Sequence, residues 1–226
     1  MTARGASEPV LIANKRLQDL TPRVVTYRKR KRILDICGST VLLILFFPLM
    51  LLFAALIKMT RNDKGPVFFV SPRVGLCGRT FPFYKFRSMY TDAEKRLGDI
   101  KDQNEREGPI FKMRNDPRIT PVGRFMRKFS IDELPQLLNV FLGHMSLVGP
   151  RPPLPREVEQ YDDYMMQRLS VRPGLTCYWQ IMGRSDLTFE QWMELDHKYL
   201  EEMSVWVDLK ILFLTPLAVL RGDGAY

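Results

Sequence analysis

From Ile36 through Ile57 the chain reads ICGSTVLLILFFPLMLLFAALI and carries no charged residue. This run constrains the fold more than any other feature, because about twenty apolar residues in a helix match the hydrocarbon core of a bilayer. A secretory signal would have a shorter apolar core close to the N-terminus and a small-residue cleavage site, whereas here a long polar lead comes first. Basic residues flank both ends: Arg28-Lys29-Arg30-Lys31-Arg32 before, and Lys58, Arg61 and Lys64 after. Positive flanks favour the cytoplasm, a preference that one straight span satisfies at only one end. Pro48, near the middle, removes a backbone donor and clashes with the preceding turn. Two arrangements follow. One is a kinked helix that crosses completely. The other is a helix broken at Pro48, returning to the side it entered on arms about 15–20 Å long. Ser39 and Thr40 would help satisfy backbone groups near such a bend.

Around this segment the chain divides into residues 1–27, read as a mobile tail, 28–64, the basic-flanked membrane helix, and 65–226, a cytoplasmic domain. Lys and Arg outnumber Asp and Glu by 34 to 25, a formal net charge of +9. That excess favours anionic partners such as lipid head groups, phosphorylated substrates or nucleic acid. Three scattered cysteines and two histidines are poor material for a disulfide framework or a His-based metal centre. Within 66–89, PVFFV and FPFYKF predict a β-hairpin turning at Gly75 and Gly78. Thr91–Glu94, Ser130–Glu133 and Thr188–Gln191 each have capping-box spacing. They predict helices reaching about Asn104, a helix with Leu134, Leu137, Leu138 and Phe141 on one face, and one presenting Trp192, Leu195, Tyr199 and Met203. Gly149-Pro150-Arg151-Pro152-Pro153 reads as a rigid turn. Leu209–Leu220 is too short to span comfortably and reads as a core or interfacial helix.

No P-loop, GxGxxG, HExxH or GxSxG is present, so chemistry must come from carboxylates and cations. Asp132-Glu133 opens a helix shortly after Arg124, Arg127 and Lys128. A helix start and neighbouring arginines both favour phosphate. One carboxylate there can attack phosphorus while its neighbour holds a metal against a diphosphate. Acidic residues are also what a helix cap asks for, so spacing alone leaves both readings open. Lys85 and Arg87, in an aromatic strand, either snorkel towards lipid or bind substrate. His144 fits a loop or supporting group better than a ligand.

Three strings carry a resemblance: FYKFRSM at 83–89, GRFMRKFSIDELPQLLNVFLGHMSLVGPRPP at 123–153, and VRPGLTCYWQIMGRSDLTFEQW at 171–192. Over roughly residues 30–226 the chain resembles the bacterial sugar transferase family, the monotopic phosphoglycosyl transferases. The resemblance implies an α+β monotopic membrane protein with a re-entrant helix-break-helix anchor at Pro48, amphipathic interfacial helices and a small β-hairpin next to the active site. It implies transfer of a hexose-1-phosphate, galactose or glucose by subgroup, from a UDP-sugar to undecaprenyl phosphate at the cytoplasmic face of the bacterial inner membrane. This is the first membrane step of exopolysaccharide or O-antigen synthesis. By position, Asp132 corresponds to the nucleophile that expels UMP, and Glu133 to the carboxylate that helps bind Mg2+. Arg127, with Lys85 and Arg87, corresponds to lipid-phosphate binding. Pro150 and Arg151 line the site, and Arg172-Pro173-Gly174 and Gln180 to Arg184 correspond to a loop near the donor.

Three positions depart from the family pattern: His144 replaces an acidic residue, Cys177 a glycine near the sugar loop, and Phe47 a serine before the proline. A rival reading, motivated by charge alone, is a non-enzymatic basic adaptor on anionic lipid or nucleic acid. Aromatic-basic platforms are not apparent beyond 81–87, so no nucleic-acid partner is expected. Membrane lipids are expected partners, and a homodimer is left open.

Overall fold

A computed structural model describes residues 22–60, 64–100, 102, 113, 115–183 and 187–221, with side chains from Tyr27 onward. The expected tail therefore lies mainly outside the described residues. Its last part does not: helix α1 spans Pro22–Lys58, so the boundary at residue 28 falls inside a helix that already includes the basic block. Helical structure also continues through Pro48, without the expected interruption. Proline deletes its own hydrogen bond and bends a helix, but neighbouring turns can keep their pattern.

Beyond α1, the described elements run β1 (Phe68–Val74), β2 (Thr80–Phe86), α2 (Ala93–Ile100), α3 (Pro121–Lys128), a 3-10 turn at Ile131–Glu133, α4 (Gln136–Leu142) and β3 (Ser146–Val148). They continue with α5 (Pro155–Val158), α6 (Asp163–Met166), β4 (Gly174–Thr176), α7 (Tyr178–Met182), α8 (Phe189–Glu202) and α9 (Val205–Arg221). The expected hairpin forms: β1 and β2 pair antiparallel with Phe69 opposite Lys85. Its turn closes through Gly78 N–H to Gly75 O at 3.1 Å, with Cys77 and Gly78 both left-handed at φ 55° and 74°. A second two-stranded sheet, parallel, joins β3 to β4. Its strands close in at Gly149 and Gly174, where a Cβ on either would run into the other's backbone. Helix α2 is described over Ala93–Ile100, and the rest of the reach expected to Asn104 lies outside the described residues except Asp102.

The main core gathers Phe81, Phe83, Leu137, Val140, Met145, Leu147, Val148, Tyr178, Tyr199 and Ile211. A smaller cluster of Phe53, Ile57, Phe86 and Met126 lies under α3. Alpha-helix α1 serves both: Leu42 and Leu43 pack on the first, Leu49, Met50, Ala54 and Leu56 on the second. Buried Asp35 fixes its N-terminal arm, accepting from Leu147 N and Ser146 Oγ, both at 2.8 Å. Arg32 caps the C-terminus of α4, donating to Val140 O at 2.7 Å and Phe141 O at 2.6 Å.

Apolar side chains left outside this packing lie on several elements. Ile44, Leu45 and Phe47 on α1, Phe68, Phe69 and Val70 on β1, Phe125 on α3, Phe141 and Leu142 on α4, and Trp206 and Phe213 on α9 are all exposed. On α4 the expected single face is split: Leu137 is buried, while Leu138 and Phe141 are exposed. Helix α9 is amphipathic in the same sense, burying Asp208 and Ile211 and exposing Trp206, Phe213 and Leu220. That agrees with the interfacial expectation. Exposed apolar side chains in this number suit contact with lipid or another apolar surface.

Candidate active site

The loop between α3 and α4 begins with a reversal. Ser130 adopts a left-handed conformation, φ 54°, and its side chain makes no cap hydrogen bond. The Ser130–Glu133 capping box therefore does not form, and the segment is a single 3-10 turn instead of the start of an α-helix. A non-glycine residue there stores strain of order 1–3 kcal/mol, and the reversal packs the turn against both α3 and β2. The Thr188–Gln191 box, by contrast, forms in both directions, at 2.9 and 3.2 Å.

That reversal buries Asp132, whose carboxylate is 8% exposed, beside Lys85 Nζ at 3.8 Å. Lys85 also grips Glu133 Oε1 at 2.7 Å, so it is turned to the carboxylate pair and not to lipid. Burial pushes the Asp132 carboxyl above its usual range, and repulsion from Glu133 adds to this, while Lys85 and Arg127 pull it back. Arg127 is held by its Nε donating to Ser88 Oγ at 3.0 Å. Burial lowers its pKa, against the attraction of Asp132. The closeness depends on Gly123, where any Cβ would strike Ser88 O.

Two further arginines complete the rim. Arg151 lies over the Trp192 ring, 5.4 Å from its centroid. Arg73, absent from the sequence reading, donates to Pro152 O at 3.1 Å and covers the Phe83 ring at 5.1 Å. Burial and the like charge of Arg151 bring Arg73 down to about 10, with Glu133 among the acidic groups opposing them. Its Nε is buried without a hydrogen-bond partner. Cations packed close enough to repel one another, one with an idle donor, suit an anion with several acceptor oxygens. The sequence signal for Arg73 is slight: an arginine inside a strand, paired in register with Phe81.

Behind Arg151 sits a buried ion pair, Arg168 with Asp196, at 2.6 Å. Arg168 donates to Arg151 O at 2.9 Å and to Tyr161 Oη at 2.8 Å, and lies 5.2 Å from the Trp192 centroid. Burial raises the Asp196 carboxyl to about 6 against the pull of Arg168. It therefore stays ionised at neutral pH and anchors the group that orients Arg151.

Other expected site residues are placed differently. Arg87 is buried, with Nε donating to Pro66 O at 2.7 Å; it holds the segment entering β1. Arg172 donates to Gly143 O at 3.0 Å and lines a cavity with Arg28, Arg32 and Asp35. Neither Asp132 nor Glu133 borders that cavity. Pro173 and Gly174 are buried at the inter-strand crossing, where Gly174 N donates to Pro150 O at 2.8 Å. Gln180 is buried on α7, and Arg184 lies outside the described residues. Cys177 is fully buried in the main core, which makes it a packing residue and not a sugar contact. His144 stacks on Phe81, with ring centroids 5.6 Å apart.

Among the described residues no cluster of three or more His, Cys, Asp or Glu could hold a metal alone. The carboxylate pair still fits Mg2+, which keeps several waters and takes one or two carboxylates together with substrate phosphates.

One long apolar helix among the described residues, apolar side chains exposed on several elements and a buried carboxylate faced by Lys85 and Arg127 define a chain with a candidate membrane helix and a site that suits an anion. Residues 26–222 match the family described as Bacterial sugar transferase, and the chain belongs to that family. It is 45% identical over 225 residues to the galactosyl transferase CpsE of Streptococcus agalactiae, covering 95% of this chain and 49% of the relative. It is 45% identical over 204 residues to an undecaprenyl-phosphate galactose phosphotransferase of Salmonella typhimurium, covering 87% of this chain and 41% of that one. With the exopolysaccharide production protein ExoY of Rhizobium meliloti, identity is 42% over 200 residues, 87% of this chain and 88% of the relative. The chain thus spans about half or less of the first two and most of the third.

Proposed function

We propose that the chain is a phosphoglycosyl transferase that moves a hexose-1-phosphate from a UDP-sugar to undecaprenyl phosphate. The observation that carries the reading is Asp132, buried and raised, yet faced by Lys85 and Arg127. In the first displacement its Oδ attacks the β-phosphorus of the donor. The bond from that phosphorus to the bridging oxygen breaks, and its electron pair leaves with UMP. In the second, an oxygen of undecaprenyl phosphate attacks the same phosphorus. The aspartyl bond breaks, the carboxylate is regenerated, and undecaprenyl-diphosphate-sugar is released. Dividing the transfer means the soluble donor and the lipid acceptor are never bound together.

The residues divide the work by position. Arg127, Lys85, Arg73 and Arg151 offset charge on the phosphoryl oxygens. Lys85 also keeps Glu133 beside Asp132. Glu133, with the diphosphate, would hold Mg2+, which when bound supplies Lewis-acid neutralisation of the leaving phosphate.

The apolar helix is read as a re-entrant anchor at the cytoplasmic face of the inner membrane. Supporting this, the domain packs on α1 both before and after Pro48. The interval between Leu43 and Leu49, where α1 adds no residue to either core cluster, is far shorter than the roughly twenty residues a full span requires. Exposed Phe69 and Phe125, on elements that carry Lys85 and Arg127 or pair with them, support a site at head-group height.

The test is UMP release from a panel of UDP-sugars with undecaprenyl phosphate and Mg2+, using wild-type and Asp132→Asn protein. Acceptor-dependent release by the wild type alone is expected. Undiminished turnover by the variant would remove Asp132 as nucleophile.

A further inference from the structure

Of the basic block that precedes the apolar run, Lys29 and Arg30 are exposed, whereas Arg28, Lys31 and Arg32 turn inward. These three, with Arg172 from the segment before β4, line one cavity. Lys31 is answered by Asp208 at 2.8 Å. That carboxylate also accepts from Tyr27 Oη at 2.9 Å and Tyr199 Oη at 2.8 Å. Asp35 is the acidic group on the wall, and Leu147 N and Ser146 Oγ already use it. The wall therefore keeps an excess of positive charge. Arg28 gives one N–H to Ser170 O at 3.1 Å, and Arg172 gives its Nε to Gly143 O. Their remaining guanidinium donors have no hydrogen-bond partner among the described residues.

The surroundings say what kind of anion fits. The α1 residues of the cavity, Tyr27 to Asp35, lead directly into the uncharged run that begins at Ile36, itself 39% exposed. On the membrane placement argued above, that continuity puts the cavity at the end of the membrane helix, near the level of the head groups. An anion that carries acyl chains would gain from the apolar run that follows on α1; a soluble anion would not.

We propose that this cavity is a second phosphate site, separate from Asp132, that holds the phosphodiester head group of an anionic membrane lipid against Arg28, Arg32 and Arg172. The proposal rests on the membrane placement argued above and not on the transfer chemistry.

The experiment uses the full chain in neutral detergent, without donor or acceptor. Native mass spectrometry reads retention of phosphatidylglycerol against phosphatidylcholine. The wild type is expected to retain phosphatidylglycerol preferentially, a comparison that needs no variant. Arg28→Gln with Arg172→Gln is expected to weaken that retention by about tenfold or more, as loss of charge-assisted hydrogen bonds does. Lys29→Gln with Arg30→Gln, on the exposed face, should leave it unchanged. Equal retention of the two lipids, or loss only in the exposed-face variant, would overturn the proposal. Displacement of phosphatidylglycerol by excess inorganic phosphate would also overturn it, by making the ligand a soluble phosphate. Flotation with pure phosphatidylcholine vesicles separately reads the apolar anchor, so failure of the membrane placement shows there and failure of the cavity does not.

Discussion

Removing the Lys85 ammonium tests the active-site reading most directly. Lys85 Nζ lies 3.8 Å from Asp132 Oδ2, with the two side chains 23% and 8% exposed. At an effective dielectric of about 20, a pair at this distance attracts by roughly 4 kcal/mol. Water reaching the ammonium reduces that, and every ~1.4 kcal/mol retained is a tenfold change in the ionised fraction. In Lys85→Met the carboxyl keeps its burial and the repulsion of Glu133 but loses its first-ranked counter-influence. Protonated Asp132 cannot attack phosphorus. Activity at neutral pH should therefore fall by about 10- to 100-fold, and recover as pH rises because the carboxyl ionises. The assay is initial UMP release from pH 5 to 9.5, with Lys85→Arg as the charge-conserving control. An acid limb that stays where the wild type has it, with the whole profile merely scaled down, would refute the electrostatic account of Lys85.

Three other outcomes follow from the same geometry. Asp132→Asn should prevent trapping of a phosphosugar on the protein and also raise Tm at neutral pH. The folded carboxyl titrates above its unfolded value, so its contribution is lost as pH rises through the folded value, and the variant's advantage should vanish in acid. Asp196→Asn leaves Arg168 buried without its counter-charge, which should cost about 3–5 kcal/mol in thermal unfolding and raise KM for the donor more than it lowers kcat; unchanged stability would remove the ion pair from the scaffold of Arg151. Asp35→Ala should lower stability by about 1–3 kcal/mol by orphaning Leu147 N, while Asp35→Asn, which keeps an acceptor, should be milder. Equal losses in that last pair would show that the hydrogen bonds do not hold the helix to β3.

Legibility followed the range of the interactions involved. The hairpin, the Thr188 cap and the amphipathic α9 depend on residues a few positions apart, and their alternation or spacing is visible in the chain. Asp132-Glu133 is visible as a pair, but its local pattern fits an ordinary cap as well as a reactive site. The left-handed Ser130 that replaces the cap is imposed by packing against β2. Arg73 was missed because its neighbours Arg151 and Glu133 come from distant segments. The resemblance puts Arg172 near the donor, but that its side chain turns to Gly143 and the α1 cavity depends on residues far away in the chain. Asp35 has no signal of its role in the residues around it; only β3, over a hundred residues later, gives it a partner.

The sequence by itself determined that a long uncharged helix had to meet an apolar medium, since no amount of local hydrogen bonding makes that surface compatible with water. It also determined where the hairpin turns and which carboxylates stand together. Tertiary structure decided which charges surround them. A cation's influence falls with distance and with solvent access, and both are fixed only when α1, β2, α3 and the segment carrying Arg151 fold against one another.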